Sequence, residues 1–437
     1  MTRSIRADAP GPGIDESSLR ATLFTALDTL GSRRRVLALP PDGTRSRSRS
    51  GLILRLLHEY YGSSLVDVLP ALGTHVAMTP DEIAEHFPGV PPRLFREHDW
   101  RRDVVQIGEV PREYVRELSE GRLDFAWPVQ LNRLIVQGGH DLIVSIGQVV
   151  PHEVAGMANH AKNLFVGTGG SEAIHRSHYL GAVYGMERIM GRTDSPVRAL
   201  FDYAAEKCAA ALPLLYALTV VGPRDGGCSD ESLPGAPPCD DDALRGFFVG
   251  EGRRVFEEAA RLSRELNVHS IGRPVRTMLV LLPEREFRST WLGNKSIYRT
   301  RMAIADGGEL IVLAPGVARF GEDATIDALI RAHGYRGTPA TLRAVETDPR
   351  LAENLSAAAH LIHGSSEGRF GITYCPGFLD REAVEAVGYR WAPLGEMMAR
   401  YSPGTLRPGW NRGPGGEELY FIANPAAGLW TAQPLPD

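Results

Sequence analysis

The chain has 437 residues, 43% hydrophobic and 23% charged, a length beyond what one hydrophobic core ordinarily serves, so two packed domains are expected. A formal net charge of -5 gives no general attraction to nucleic acid or anionic lipid. No segment approaches the roughly 18 to 20 apolar residues of a membrane helix, and the start MTRSIRADAPGPG lacks the apolar stretch of a secretion signal.

These features predict a cytoplasmic protein without nucleic-acid or membrane partners. Cys208, Cys228, Cys239 and Cys375 show no Cys-x-x-Cys or zinc-ribbon spacing and read as free thiols or loop residues. Cys228 and Cys239 lie in a Gly-, Pro- and Asp-rich stretch, 222–245, expected to be a surface excursion.

In chain order, the first predicted strand is Val36–Leu39, ended by Pro40 and Pro41, followed by the polar loop PDGTRSRSRSG and an apolar-periodic helix LILRLLHEYY. A second strand, Leu65–Leu72, runs into Gly73-Thr74-His75. Thr79 then caps a helix, with Pro80 at its first position and Glu82 completing a capping box. The near-continuous apolar run Asp141–Val150 has the character of a strand covered on both faces.

A helix at Glu251–Glu265 is followed by a strand TMLVLLP, a helix near Ile297–Ala305 and a strand ELIVLAP. A helix within Leu351–His363, a strand within Phe370–Tyr374 and a tail strand in EELYFIANP complete the series. The alternation predicts an α/β fold of two domains, each a mainly parallel sheet with flanking helices, with the active site in the cleft between them. The expected domains are 1–272 and 273–415, and the tail 416–437 holds a strand that returns to either of them, the N-terminal domain included.

The chemically rich stretch is VVPHEVAGMANHAKNLFVGTGGSEAIHRSH. His152, Lys162 and His178 stand ten and sixteen residues apart, and His160 and His175 add two more imidazoles. No metalloprotease or zinc-finger spacing fits. Imidazole serves both as metal ligand and as proton shuttle near neutral pH, so either a metal or an acid–base site is consistent with this loop, and so is a hydrogen-bonded structural role for a histidine after a buried strand.

The stretch resembles the nickel-pincer lactate racemases. That family carries a His, then Ala-Gly, a Lys ten residues after the His, a Gly-rich turn and a further His sixteen residues on; His152, Ala155-Gly156, Lys162 and His178 match at the same intervals. Its Asp-x-Thr-Arg after the first strand is matched by Asp42-Gly43-Thr44-Arg45, and its Gly-x-His after the second by Gly73-Thr74-His75.

The resemblance implies an isomerase, a racemase or epimerase of a small 2-hydroxy acid, served by cofactor-biosynthesis enzymes. It implies a nickel-pincer nucleotide attached covalently to Lys162, nickel ligated by His178, His75 and His152 as acid–base residues, and Arg45 on the substrate carboxylate. Asp42 and Thr44 fall to the cofactor side of the same loop.

The chain departs from the family pattern at several places. Val76 follows His75 where an Arg is usual, and Ala158-Asn159-His160-Ala161 precedes Lys162 where the family has Ser-Gly-Gly-x. Asn159 and His160 are therefore expected to replace cofactor contacts that glycines would allow. The family's Tyr-Gln-x-x-Lys aligns with Tyr298-Arg299-Thr300-Arg301-Met302, so Arg299, Arg301 or Lys295 would supply the missing cation, unless they are surface charges of a helix. These changes point away from lactate and leave open a short aliphatic acid or a sugar acid such as gluconate.

Two other classes compete. A zinc-dependent hydrolase using the same histidines would need three ligands and a carboxylate base, Glu153 or Glu172, but would leave Lys162 without a role. A non-catalytic ligand-binding homologue would not require the two acid–base histidines, the tether and the ligand together.

Overall fold

In a computed structural model, described for residues 3–7, 12–223, 242–426 and 428–435, the chain forms two compact units. One comprises residues 3–180, 192–223 and 242–266; the other takes in 181–191 and resumes at 267, upstream of the expected Arg273. Cys228, Cys239 and most of the expected excursion lie outside the described residues, while Pro223 and Asp242 end paired strands. No described helix is long and apolar enough to cross a membrane.

The first unit is built on a six-stranded sheet in the order Arg3–Arg6, Asp242–Gly250, Leu214–Pro223, Leu142–Gln148, Val36–Leu39, Leu65–Val68. The last four strands run parallel, and the first two are antiparallel additions at one edge. Every residue of Val36–Leu39 and Leu142–Gln148 is buried, which is why both read as continuous apolar runs in place of an alternating pattern.

Ile53, Leu54, Leu56 and Leu57 of the helix Ser50–Tyr61 pack on this sheet together with Leu19, Leu23 and Leu27 of Glu16–Asp28. The Thr79 capping box forms with both of its hydrogen bonds at the start of Pro80–His86.

The second unit has its own six-stranded sheet, ordered Arg390–Trp391, Gly371–Pro376, Ile304–Ala314, Val275–Leu281, Glu418–Ile422, Gly409–Arg412, with only the last pairing antiparallel. The tail strand Glu418–Ile422 thus pairs with Val275–Leu281 in this sheet and does not return to the first, because its apolar residues Leu419 and Phe421 join the core around Leu279 and Leu313.

The helix expected near Ile297–Ala305 lies upstream, as two short turns Thr290–Gly293 and Lys295–Tyr298, and Ile304 already begins a strand. Ile297, Tyr298, Arg299 and Arg301 are all buried there, so the charges carry none of the surface periodicity that would mark a helix.

Candidate active site

The strands Leu65–Val68, Val36–Leu39 and Leu142–Gln148 are neighbours and parallel, so the loops leaving their carboxyl ends emerge along one edge of the sheet, where α/β folds bind ligands. These loops carry Asp42 and Arg45, then His75, then His152 and Lys162. The chain segments are fastened to one another by backbone bonds: Ala71 donates to the Pro40 carbonyl at 2.8 Å and Gly73 to that of Gly167 at 2.9 Å.

His75 is half-buried, and its Nδ1 lies 2.5 Å from Oδ2 of the buried Asp42. Arg45, two residues into a tight helical turn that begins at Gly43, departs from helical backbone with φ -111° and ψ 42°. The side chain of Thr44 falls outside the described atoms.

His152 is buried in a two-residue strand, and its Nδ1 accepts the backbone N–H of Val154 at 3.1 Å. Glu153 Oε2 stands 3.7 Å from the same nitrogen, beyond hydrogen-bond length.

Lys162 is partly buried, and its amine is pushed down to about 8 by loss of solvent and then by the nearby Arg45 guanidinium, opposed by Glu153 and Asp42. One electrostatic neighbourhood therefore joins Lys162 to Arg45, Asp42 and Glu153. Lys162 leads into a π-helical turn, Asn163–Gly167, of the rare kind found mostly at functional positions. Asn163, which sequence reasoning passed over, ties this turn to two strands by donating to the Leu39 carbonyl at 3.2 Å and to Ser145 Oγ at 3.0 Å.

Asn159 and His160 occupy left-handed backbone, at φ 66° and 59°, where glycine is the usual residue. Both side chains make contacts within the protein itself. The Asn159 carboxamide caps the His160 N–H at 2.7 Å and would collide with any Cβ at Gly147, at 2.0 Å.

The His160 ring lies tilted against Tyr216 at 4.0 Å and stacks on Phe256 at 5.2 Å, its Nε2 lies 3.0 Å from the Gly252 carbonyl, and burial pushes it down to about 3. This is a neutral core histidine. Below it lies Arg198, also missed in the sequence because it occupies a helix with no loop motif around it. It is fully buried and donates to the Met157 carbonyl at 2.6 Å, with its guanidinium 4.2 Å from the Phe256 ring centre.

His178, on the helix Ser171–Tyr184, donates from Nδ1 to the Ile174 carbonyl at 2.8 Å. A carbonyl only accepts, so Nδ1 carries the proton, the second-sphere arrangement typical of ligating histidines. Among the described residues no three His, Cys, Asp or Glu side chains converge into a metal-binding group, so the ligand set a zinc hydrolase needs is not assembled by them. A metal brought by an organic group and completed by one histidine fits the donors that are present: one secondary-structure-fixed imidazole and one amine of lowered basicity.

In the second unit the expected substrate cations are largely engaged in structure. Arg301 is buried in an internal ion pair, with Nε 2.7 Å from Glu187 Oε1 and a second donor 2.9 Å from the Ser365 carbonyl. Arg299 is buried and donates to the Gly428 carbonyl at 3.3 Å, and Lys295 places its ammonium 5.5 Å from the Phe287 ring centre.

Residues 24–189, the segment holding every first-unit site residue, match the family model of the lactate racemase N-terminal domain. That match places a lactate racemase N-terminal domain in this part of the chain.

Its fold is similar, over 97% of this chain and 99% of the other, to a Thermotoga maritima protein at TM-score 0.80 and 21% identity. It is also similar to the lactate racemase apoprotein of Thermoanaerobacterium thermosaccharolyticum, at TM-score 0.68 and 16% identity, over 98% of this chain and 100% of that one. No curated protein matches the sequence.

Proposed function

We propose that the chain inverts C2 of a 2-hydroxy acid, using a nickel-pincer nucleotide held covalently by Lys162 with His178 as the protein's ligand to nickel. The observation that carries this reading is the shared environment of Lys162, Arg45 and Asp42, with His75 on Asp42, at one edge of a parallel sheet.

Lys162 suits covalent attachment, because an amine lowered to about 8 is partly neutral, and so nucleophilic, near physiological pH. His178 has its ring orientation fixed by the Ile174 carbonyl, as a ligating histidine requires. When bound, such a group supplies a hydride acceptor and donor, so the substrate carbon can pass through a planar 2-keto acid.

The remaining work belongs to this chain's side chains. Arg45 holds the substrate carboxylate in a two-pronged grip, limiting motion while the carbonyl turns over. His75 and His152 are the acid–base residues at the substrate oxygen, where the hydroxyl proton is taken and one is returned. Asp42 supports His75 from behind. The substitutions at Val76, Arg299 and Met302 favour an acid other than lactate.

The test is to co-express the chain with cofactor-making enzymes of a pincer pathway and to measure intact mass, nickel content and the modified peptide. A nucleotide-sized adduct on the Lys162 peptide with stoichiometric nickel supports the reading. An unmodified, nickel-free chain from cells that load a known family member overturns it.

A further inference from the structure

We infer that His75 and His152 are held in opposite tautomers, which makes His75, positioned by Asp42, the residue that takes the substrate proton and His152 the one that presents a hydrogen to the substrate. The chemical part of this inference rests on the racemase reading; the tautomers do not.

Each assignment follows from a partner whose role is fixed. An ionised carboxylate can only accept, so the 2.5 Å contact between Asp42 Oδ2 and His75 Nδ1 puts the proton on Nδ1. In neutral His75 the lone pair is then on Nε2, the nitrogen turned away from Asp42. A backbone amide can only donate, so the bond from Val154 N to His152 Nδ1 at 3.1 Å puts the lone pair on Nδ1 and the proton of neutral His152 on Nε2.

The two imidazoles therefore differ in what they offer through Nε2. His75 offers a lone pair, and when it accepts a proton there the imidazolium is balanced by the buried carboxylate that already holds Nδ1–H. His152 offers an N–H. It becomes a base at Nε2 only by moving its proton to Nδ1, which breaks the Val154 bond and sets two N–H groups against each other.

The protons balance within one ring: His75 Nε2 takes the proton of the substrate hydroxyl and its imidazolium gives a proton back to the product oxygen, His152 donates a hydrogen bond without losing its proton, and none passes to Asp42. Asp42 is a positioning residue, acting through the ring it orients, in the manner of the carboxylate behind a catalytic-triad histidine.

The experiment is imidazole 15N spectroscopy of the full-length apoprotein with labelled histidine, the two signals assigned by their loss in His75→Gln and His152→Gln. Expected are a protonated Nδ1 with a bare Nε2 for His75, the reverse for His152, and an Asp42→Asn variant in which His75 loses its preference while His152 is unmoved. The same tautomer in both rings, or a His75 signal indifferent to Asp42→Asn, overturns the inference.

On loaded enzyme, Asp42→Asn should lower kcat on the order of 100- to 10,000-fold with little change in KM, as expected when a base is left in the wrong tautomer; an unchanged kcat overturns the role of His75. A loaded wild type that turns over no 2-hydroxy acid, with the opposite tautomers intact, refutes the functional reading and leaves the spectroscopic result standing.

Discussion

Arg198 and Met157 are joined by a 2.6 Å hydrogen bond from a guanidinium with no solvent exposure to a backbone carbonyl in the loop that precedes Lys162. Burial lowers Arg198 to about 10, so it remains a cation at neutral pH. Replacing it by Leu leaves that carbonyl without its donor and removes the cation stacked on Phe256, a loss of about 2–4 kcal/mol. Urea denaturation of the apoprotein measures it; an unchanged midpoint would show that Arg198 holds nothing.

Lys162 gives a prediction with a defined sign. Its folded-state value of about 8 lies below the ordinary 10.5, so the folded protein disfavours the ammonium that the unfolded chain accepts freely. The penalty is present in full below the folded value and is relieved as pH rises through it toward the unfolded one. Lys162→Met should therefore raise the melting temperature of the apoprotein at neutral pH, by an amount that shrinks as the pH is raised from about 8 to about 10. Thermal scans across that range decide it, and a pH-independent gain would contradict it.

Glu187 accepts from Arg301 at 2.7 Å and from Arg369 at 2.9 Å. The Arg301 side chain is 4% exposed but Glu187 is 39% exposed, so solvent shares in holding the pair. Glu187→Gln should cost about 1–3 kcal/mol, less than breaking a fully buried pair. Denaturation of the full chain reads this, and substrate KM in the loaded enzyme should not move; a raised KM at normal stability would return Arg301 to the substrate.

Thr79→Ala removes one half of the capping box on Pro80–His86, and Glu82→Ala the other. Each should cost about 1 kcal/mol, and the double variant less than the sum because the two bonds share one cap. Additive losses would mean that the reciprocal arrangement is not maintained in solution.

What was legible in the sequence was local or strongly periodic. The strands at Val36 and Leu142 announced themselves as apolar runs, and the Thr79–Glu82 box as a four-residue signature. The turn at Asn159 and His160 was not legible, because two residues that rarely adopt left-handed backbone are held there by a carboxamide and an aromatic stack supplied from distant segments.

The ion pair of Arg301 was not legible for a related reason. Its partner Glu187 lies 114 positions away, and nothing near Arg301 in the chain says that its charge is already answered. The candidate site was readable as a set of residue types and intervals, but the contact of Asp42 with His75 needed the pairing of two parallel strands to appear.

That parallel pairing divides labour between the two ends of the sheet. At the end away from His75 and Lys162, the connections are short turns such as Gly62–Ser64 and the stretch ending at Asp141, whose carboxylate is occupied by the backbone N–H groups of Arg34 and Arg35 at 2.8 and 2.9 Å. Changes there alter how firmly the chain is folded and leave the reacting groups where they were. The turn at Gly62–Ser64 is accordingly the place to graft a reporter or a handle for immobilisation, since a probe inserted behind the sheet travels with the enzyme without facing its substrate.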